Sequence, residues 1–167
     1  KTLVNEFSSF ARMPASNPSL NDLNEIVNET VALYKAGQRM IDFEARTDPR
    51  LPILEIDRDQ MKRVLINLID NAIAAVGDTG EVRVETSFDE GMQVARLEVI
   101  DNGEGIPADS KQKLFEPYFS TKKMGTGLGL AIVSNIIADH NGYIRVKDNV
   151  PRGTRFIIEL PAKVITI

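Results

Sequence analysis

The sequence contains no cysteine. That removes disulfides, thiol chemistry and zinc fingers from consideration, and it fits a reducing compartment. Histidine is nearly missing as well, with His140 the single one. Basic residues are in slight deficit, 20 Lys and Arg against 24 Asp and Glu, for a net charge of −4. They are scattered rather than gathered into a stripe, which argues against a nucleic-acid binder. No stretch approaches the roughly 20 consecutive apolar residues that a membrane span needs. No signal peptide opens the chain, since polar residues follow Lys1 within a few positions. These absences predict a soluble, cytoplasmic protein. The chain begins at Lys1 rather than Met and reads as a piece of something longer.

What is present is enough for one domain with a sizeable core: 167 residues, 43% of them hydrophobic. Leu3, Phe7 and Phe10 step by four and three, a helical seam too short to bury itself. Pro14 and Pro18 bound a short linker after it. Residues 1–18 therefore read as the truncated end of a helix hairpin plus a linker, and 19–167 as the domain. Asp22 is placed to cap a helix reaching about Ala36. Residues 40–46 and 53–56 read as strands around a turn at 48–52. Asp57 caps the clearest helix, 58–76, whose apolar positions from Met61 to Val76 follow the 3.6-residue period. Two strands follow, 81–88 and 94–101, joined by a tight turn. A short helix near 109–115, a loop through 127, a second strong helix over about 128–140 and a closing hairpin, 143–148 and 154–161, complete the order. This succession predicts a two-layer α/β sandwich with a mixed β-sheet packed on helices.

Three stretches carry chemistry. In "NLIDNAIAA" (67–75), Asn67 and Asn71 stand four apart and project from one side of a helix, at the border of its apolar stripe. Asparagine is a poor residue for a helix interior. Its amide oxygen suits a hard cation such as Mg²⁺, which takes a few ligands from protein and the rest from phosphates and water. In "DNGEGI" (101–106), Gly103 and Gly105 let the backbone turn sharply and come close to a ligand. Asp101 sits where the strand ends. A carboxylate there accepts a hydrogen bond from the exocyclic amine of adenine and meets an acceptor in guanine, leaving both unsatisfied. In "LFEPYFSTKKMGTGLGLAI" (114–132), Phe115 and Phe119 bracket Pro117, and Gly125, Gly127 and Gly129 alternate just before a helix. The spacing is neither that of a P-loop nor that of a dinucleotide-binding fingerprint. Such glycines leave N–H groups free at a helix N-terminus, which attracts phosphate. They also make 116–126 a lid able to close over a nucleotide.

In this order, and followed by "RGTRFIIELP", the stretches resemble the N box, first glycine box, F box, second glycine box and terminal Gly-Thr of bacterial sensor histidine kinases. The resemblance is to their ATP-binding catalytic domain and covers about residues 22–161. "FSSFARMP" and "PYFSTKKMGTGLGLAI" are similar to the nitrogen-regulation kinases of the NtrY/NtrB type. The resemblance implies the Bergerat ATP-binding fold, a mixed sheet backed by helices, and ATP with Mg²⁺ as ligands. It implies Asn71 as the Mg²⁺ ligand and, with Asn67, as the catalytic pair. It implies Asp101 as the partner of adenine N6, supported by Thr154, with Gly103, Gly105 and Ile106 lining the pocket. Gly125, Gly127, Leu128 and Gly129 would serve the lid hinge and the phosphates. Many members carry a basic residue three positions after the Mg²⁺ asparagine; here Ala74 stands there, and Lys122 or Lys123 is expected to meet the phosphate charge instead.

The same fold serves ATPases, whose position four before the Mg²⁺ asparagine is typically Glu. Here it is Asn67, and an amide cannot act as a general base. The expectation is therefore transfer of the γ-phosphoryl group to a histidine, with an ATPase or a nucleotide-sensing module as alternatives. The resemblance implies as partners the kinase's own dimerisation/phosphoacceptor domain and a response regulator, with a homodimeric parent, whether or not that parent is anchored in the inner membrane. His140, followed by Asn141 and Gly142, reads as a helix-stop residue favoured by the helix dipole and not as the phosphoacceptor.

Overall fold

The alternation of apolar and polar residues in 81–88 and 94–101 builds the centre of a sheet. The computed structural model describes residues 15–37, 40–117, 119 and 128–163. In chain order these form β1 (Ser19–Asn21), α1 (Leu23–Ala36), β2 (Ile41–Arg46), β3 (Leu54–Ile56), α2 (Arg58–Val76), β4 (Gly80–Asp89), β5 (Val94–Asp101), the short α3 (Ala108–Lys111), α4 (Gly129–Asp139), β6 (Tyr143–Asp148) and β7 (Thr154–Pro161). Five strands form one sheet in the order β2-β4-β5-β7-β6. β2 runs parallel to β4, and the remaining pairs are antiparallel. The expected two-layer sandwich with a mixed sheet is what the chain builds.

Period two on the strands and period 3.6 on the helices decide what faces what. Val82, Val84, Leu97, Val99, Phe156 and Ile158 point from the sheet into the core. Against them lie Leu23, Ile26 and Val27 of α1, Met61, Leu65, Leu68 and Ile69 of α2, and Ile132, Val133 and Ile136 of α4. The alternate residues of the same strands cover the other face with ion pairs: Arg83 with Glu85, Arg96 with Glu159, and Arg155 with Glu98. That face is covered by charged side chains, with Ile100 and Ile157 buried among them. Among the described residues, no helix is long and apolar enough to cross a membrane.

The helix starts follow local chemistry. Asp22 accepts from Glu25 N–H at 3.3 Å to cap α1, and Asp57 accepts from Gln60 N–H at 3.1 Å to cap α2. Two details differ from the expectation. The helix expected over 109–115 is a single turn, Ala108–Lys111, followed by irregular turns. The linker runs into β1, which pairs antiparallel with β3 in a small separate sheet. Three residues with Leu20 left 68% exposed carry no alternation from which to read a strand. Residues 1–14, with the expected end of a helix hairpin, lie outside the described residues.

His140 ends α4 as expected, but as a neutral ring. It is 6% exposed. Its Nδ1 lies 2.8 Å from the Ile136 carbonyl oxygen, and its Nε2 accepts from the Asp57 backbone N–H at 3.0 Å. An accepting Nε2 places the proton on Nδ1, so the ring joins the C-terminus of α4 to the N-terminus of α2 by hydrogen bonds and not by charge. His140→Leu leaves the Asp57 N–H without its acceptor. It is expected to cost about 1–3 kcal/mol, read as a lower midpoint in urea unfolding with an unchanged slope.

Candidate functional site

Helix α2 brings its two asparagines to the edge of the core. The apolar stripe through Leu65, Leu68, Ile69 and Ala72 is buried against the sheet, which leaves Asn67 and Asn71 half-buried beside it. Asn67 Nδ2 donates to the carbonyl of Gly129 at 3.1 Å, at the first residue of α4. Asn71, one turn on, makes no side-chain hydrogen bond among the described residues. Its amide is thus open to a ligand. Leu128 precedes the first turn of α4 and gives it no side-chain cap. Helix α4 therefore presents the partial positive charge of its N-terminus at the end that Asn67 fastens.

The strand side of the site comes from β5 and β7. Asp101 is the last residue of β5 and lies directly opposite Thr154, the first of β7. Both are buried, at 4% and 2% exposure. Asp101 Oδ1 accepts from the Gly103 N–H at 2.8 Å. The loop that follows is pressed onto α2. A Cβ on Gly103 would stand 2.5 Å from the Ala75 backbone carbonyl. The Glu104 N–H donates to that same Ala75 carbonyl at 3.2 Å. Ala75 follows Asn71 by one turn, so the glycine loop reaches the helix on the side that carries the asparagines.

Gly105 has a φ of +80°, a conformation that favours glycine. Ile106 is half-buried against the core. Its carbonyl accepts from Lys111 Nζ at 2.9 Å, and the same ammonium pairs with Asp148 at 2.9 Å. A cleft of about 660 Å³ lies between Glu104–Pro107 and the β6–β7 turn. It is lined by Gly105 and Ile106 but by neither Asn71 nor Asp101, and so runs along the outer side of the loop.

Of the residues expected at the site, Asn67, Asn71, Asp101, Gly103, Gly105, Ile106, Gly129 and Thr154 are contributed by α2, the β5 end and its loop, the start of α4 and the start of β7. Leu128 is fully buried in the core, which leaves its backbone and not its side chain for a ligand. Lys122, Gly125 and Gly127 lie outside the described residues, as does most of the expected lid. Phe119 packs on the core, and Phe115 meets Phe156 edge-on at 6.3 Å between ring centroids.

Sequence reasoning missed Asn149 and Arg152 behind Asp101, and gave no role to Gly153 of the terminal Gly-Thr. Gly153, at φ +110°, has no room for a side chain, because a Cβ would lie 1.9 Å from the Asp101 carbonyl oxygen. Asn149 Nδ2 donates to that carbonyl at 3.1 Å. Arg152 Nε donates to the Gly103 carbonyl at 2.7 Å. The sequence signal for them was the turn "DNVPRG" before β7, which reads as an ordinary hairpin turn until its partner strand is known.

Residues 56–164 match the family described as histidine kinase-, DNA gyrase B-, and HSP90-like ATPase. The chain is 37% identical over 166 residues to the nitrogen regulation protein NtrY of Azorhizobium caulinodans, a match that covers 96% of this chain and 21% of NtrY. It is similar to full-length ShkA, solved in complex with AMPPNP, at a TM-score of 0.84 and 28% identity over 98% of this chain and 36% of that one. It is also similar to the histidine kinase ThkA, solved in complex with the response regulator protein TrrA, at a TM-score of 0.81 and 32% identity over 96% of this chain and 46% of ThkA. The chain thus spans about a fifth of NtrY and less than half of either solved kinase.

Gly103→Ala drives a methyl group into the α2 backbone. The expected result is a loss of about 1–3 kcal/mol of stability from overpacking, read as a fall in the thermal midpoint. Gly91→Ala, whose Cβ would meet nothing closer than 3.6 Å, is expected to leave the midpoint nearly unmoved.

Proposed function

The chain belongs to the histidine kinase-, DNA gyrase B-, and HSP90-like ATPase family, as a catalytic domain of the sensor histidine kinase kind, and from that premise we propose that it binds Mg-ATP and passes the γ-phosphoryl group to a histidine on a separate dimerisation/phosphoacceptor domain. The observation that carries the proposal is the buried Asp101 carboxylate. It is oriented by the Gly103 N–H at 2.8 Å and sits at the strand end joined to the asparagine helix. A carboxylate held in place at the strand end is an acceptor suited to the adenine N6 amine, and Thr154 stands opposite to support it.

The donor set is compatible with Mg²⁺ shared with the phosphates of a nucleotide. Among the described residues there is no cluster of three or more His, Cys, Asp or Glu. Asn71 offers one neutral amide oxygen with no hydrogen bond to give up, which suits a hard cation that brings its own waters and is shared with phosphates. When bound, the ion would stabilise the negative charge of the phosphates, with Asn71 as its protein ligand. The start of α4 holds phosphate through its N–H groups, with Lys122 or Lys123 adding the charge that Ala74 does not supply. The acceptor imidazole attacks phosphorus through a neutral nitrogen. An N–P bond forms as the bond to the β,γ-bridging oxygen breaks, and ADP leaves. Because the nucleophile is already competent, positioning and charge stabilisation suffice, and no general base is needed at position 67.

Two features support transfer to another domain over hydrolysis or self-modification. Asn67 is an amide whose nitrogen is spent on Gly129. His140 has both ring nitrogens in hydrogen bonds. The response regulator found with ThkA and the nucleotide analogue found with ShkA are the partner and ligand classes this reading carries over. It also carries over a homodimeric parent, with this domain in the cytoplasm whether or not that parent is anchored in the inner membrane.

Asp101→Asn removes the acceptor charge and is expected to weaken ATP binding by about 1.5–3 kcal/mol and to blunt the preference over GTP, read by calorimetry. Unchanged affinity and selectivity overturn the adenine assignment. Asn71→Ala should leave adenosine binding nearly as before while phosphoryl transfer to a supplied phosphoacceptor domain collapses; transfer that survives at ordinary Mg²⁺ moves the metal role elsewhere. With radiolabelled ATP the chain alone should stay unlabelled, and label that disappears in His140→Gln would show that the acceptor had been misplaced.

A further inference from the structure

The turn between β6 and β7 reaches back under the glycine loop at three points. Asn149 Nδ2 forks between the Asp101 and Arg152 carbonyls, at 3.1 Å to each. The Asn149 N–H closes the turn onto the Gly153 carbonyl at 2.9 Å. Arg155 Nε donates to Asn149 Oδ1 at 3.3 Å and fixes the amide's orientation. Arg152 then sends its Nε–H to the Gly103 carbonyl at 2.7 Å. Gly153 allows the approach, because any side chain there would meet the Asp101 carbonyl.

Gly103 has no side chain to anchor it, and glycine has the widest backbone freedom of any residue. Its N–H donates to the Asp101 carboxylate at 2.8 Å and so helps to aim it. Three bonds hold this residue and its following peptide: its N–H to Asp101 Oδ1, its carbonyl to Arg152 Nε, and the Glu104 N–H to the Ala75 carbonyl. Among the described residues, Arg152 supplies the side-chain bond to this segment from outside the loop. We propose that Arg152, seated by Asn149, is a positioning residue for base selection: by clamping the Gly103 carbonyl it keeps the Gly103 N–H on the Asp101 carboxylate, so that Asp101 faces the exocyclic amine of an adenine nucleotide. The inference rests on the adenine reading above and concerns residues that the motif boxes leave aside.

The test compares ATP with purine riboside triphosphate, which lacks only the exocyclic amine, by calorimetry on the whole chain with Mg²⁺. A hydrogen bond to a charged acceptor sets an expected preference for ATP of about tenfold or more. Arg152→Met fills the side chain out to the position of Nε and removes the donor. It should cut that preference to about threefold or less while purine riboside triphosphate binds as before. Arg152→Gln places an amide Nε2 as many bonds from Cα as the arginine Nε, and should keep the preference although the charge is gone. Asn149→Ala, which removes the seat of the turn, should lower the same ratio and serves if Arg152→Met does not fold. Thermal unfolding is followed for every variant. The proposal is overturned if Arg152→Met retains the wild-type ratio, or if both nucleotides weaken together as the melting temperature falls. Asp101→Asn separates the two layers of the argument. If it abolishes the preference and Arg152→Met does not, the clamp alone is wrong. If Asp101→Asn leaves the preference intact, the adenine reading fails and takes the clamp with it.

Discussion

The site depends on one close contact, the packing of the Gly103 backbone on the Ala75 carbonyl of α2. That carbonyl also accepts the Glu104 N–H. Without this contact the asparagine helix and the end of β5 would be two separate surfaces. With it, a residue that orients a carboxylate and a helix that offers an amide become one rigid corner. A methyl group at position 103 cannot be accommodated by a rotamer change, because the obstructing atoms are backbone. The short side chain of Ala75 lets the loop lie close to the helix, and Gly103 lets it turn back. Sequence chemistry at two distant positions thus creates a single geometric fact.

Much of this was legible because periodicity and caps are local. The boundaries of α2 follow from Asp57, the 3.6-residue stripe and Gly77. The centre of the sheet follows from strict alternation in β4 and β5. Asn67 and Asn71 stood out because their type disagrees with a helix interior, and Asp101 because it ends an apolar strand before two glycines. What was hidden is what depends on partners far away in the chain. β1 exists only because β3 lies beside it. Asn149, Arg152 and Gly153 look like a polar turn, and their role becomes visible only when the register places Thr154 opposite Asp101. The helix expected over 109–115 is shorter: past Lys111 the backbone closes three-residue turns, Lys113 N–H to the Ser110 carbonyl and Glu116 N–H to the Lys113 carbonyl, while Leu114 is buried and Phe115 meets Phe156.

His140 shows how a correct local reading can carry the wrong physics. Its place before Asn141 and Gly142 identifies a helix end, where a cation suits the dipole. In the structure it is buried, and the Asp57 N–H claims Nε2 as an acceptor. A second N–H on that nitrogen would face another donor, so the ring serves as a neutral bridge. Asp57 is consequently engaged on three sides. Its carboxylate caps α2 and accepts from the Asn17 N–H at 2.8 Å, while its own N–H reaches His140. The entering chain, the asparagine helix and the far end of α4 meet at this one residue.

The two ends of α4 are therefore both fastened to α2, the C-terminal end through His140 and the N-terminal end through Asn67. This gives a physical account of the amide at position 67 that is independent of what it cannot do as a base. Asn67 Nδ2 is a donor to the Gly129 carbonyl. A glutamate there would set a carboxylate against a carbonyl, acceptor against acceptor, and the joint would be lost or its geometry changed. The residue that precedes α4, Leu128, gives it no side-chain cap, so the Asn67 bond is what ties this helix end to the α2 face that carries Asn71. A residue that in hydrolytic members of the fold would activate water here fastens a helix start beside a second amide. In the function proposed above, that one side chain would both place the phosphate-binding helix end next to the Mg²⁺ ligand and leave position 67 without a base, and both would favour delivery of the phosphoryl group to a nucleophile brought by another domain.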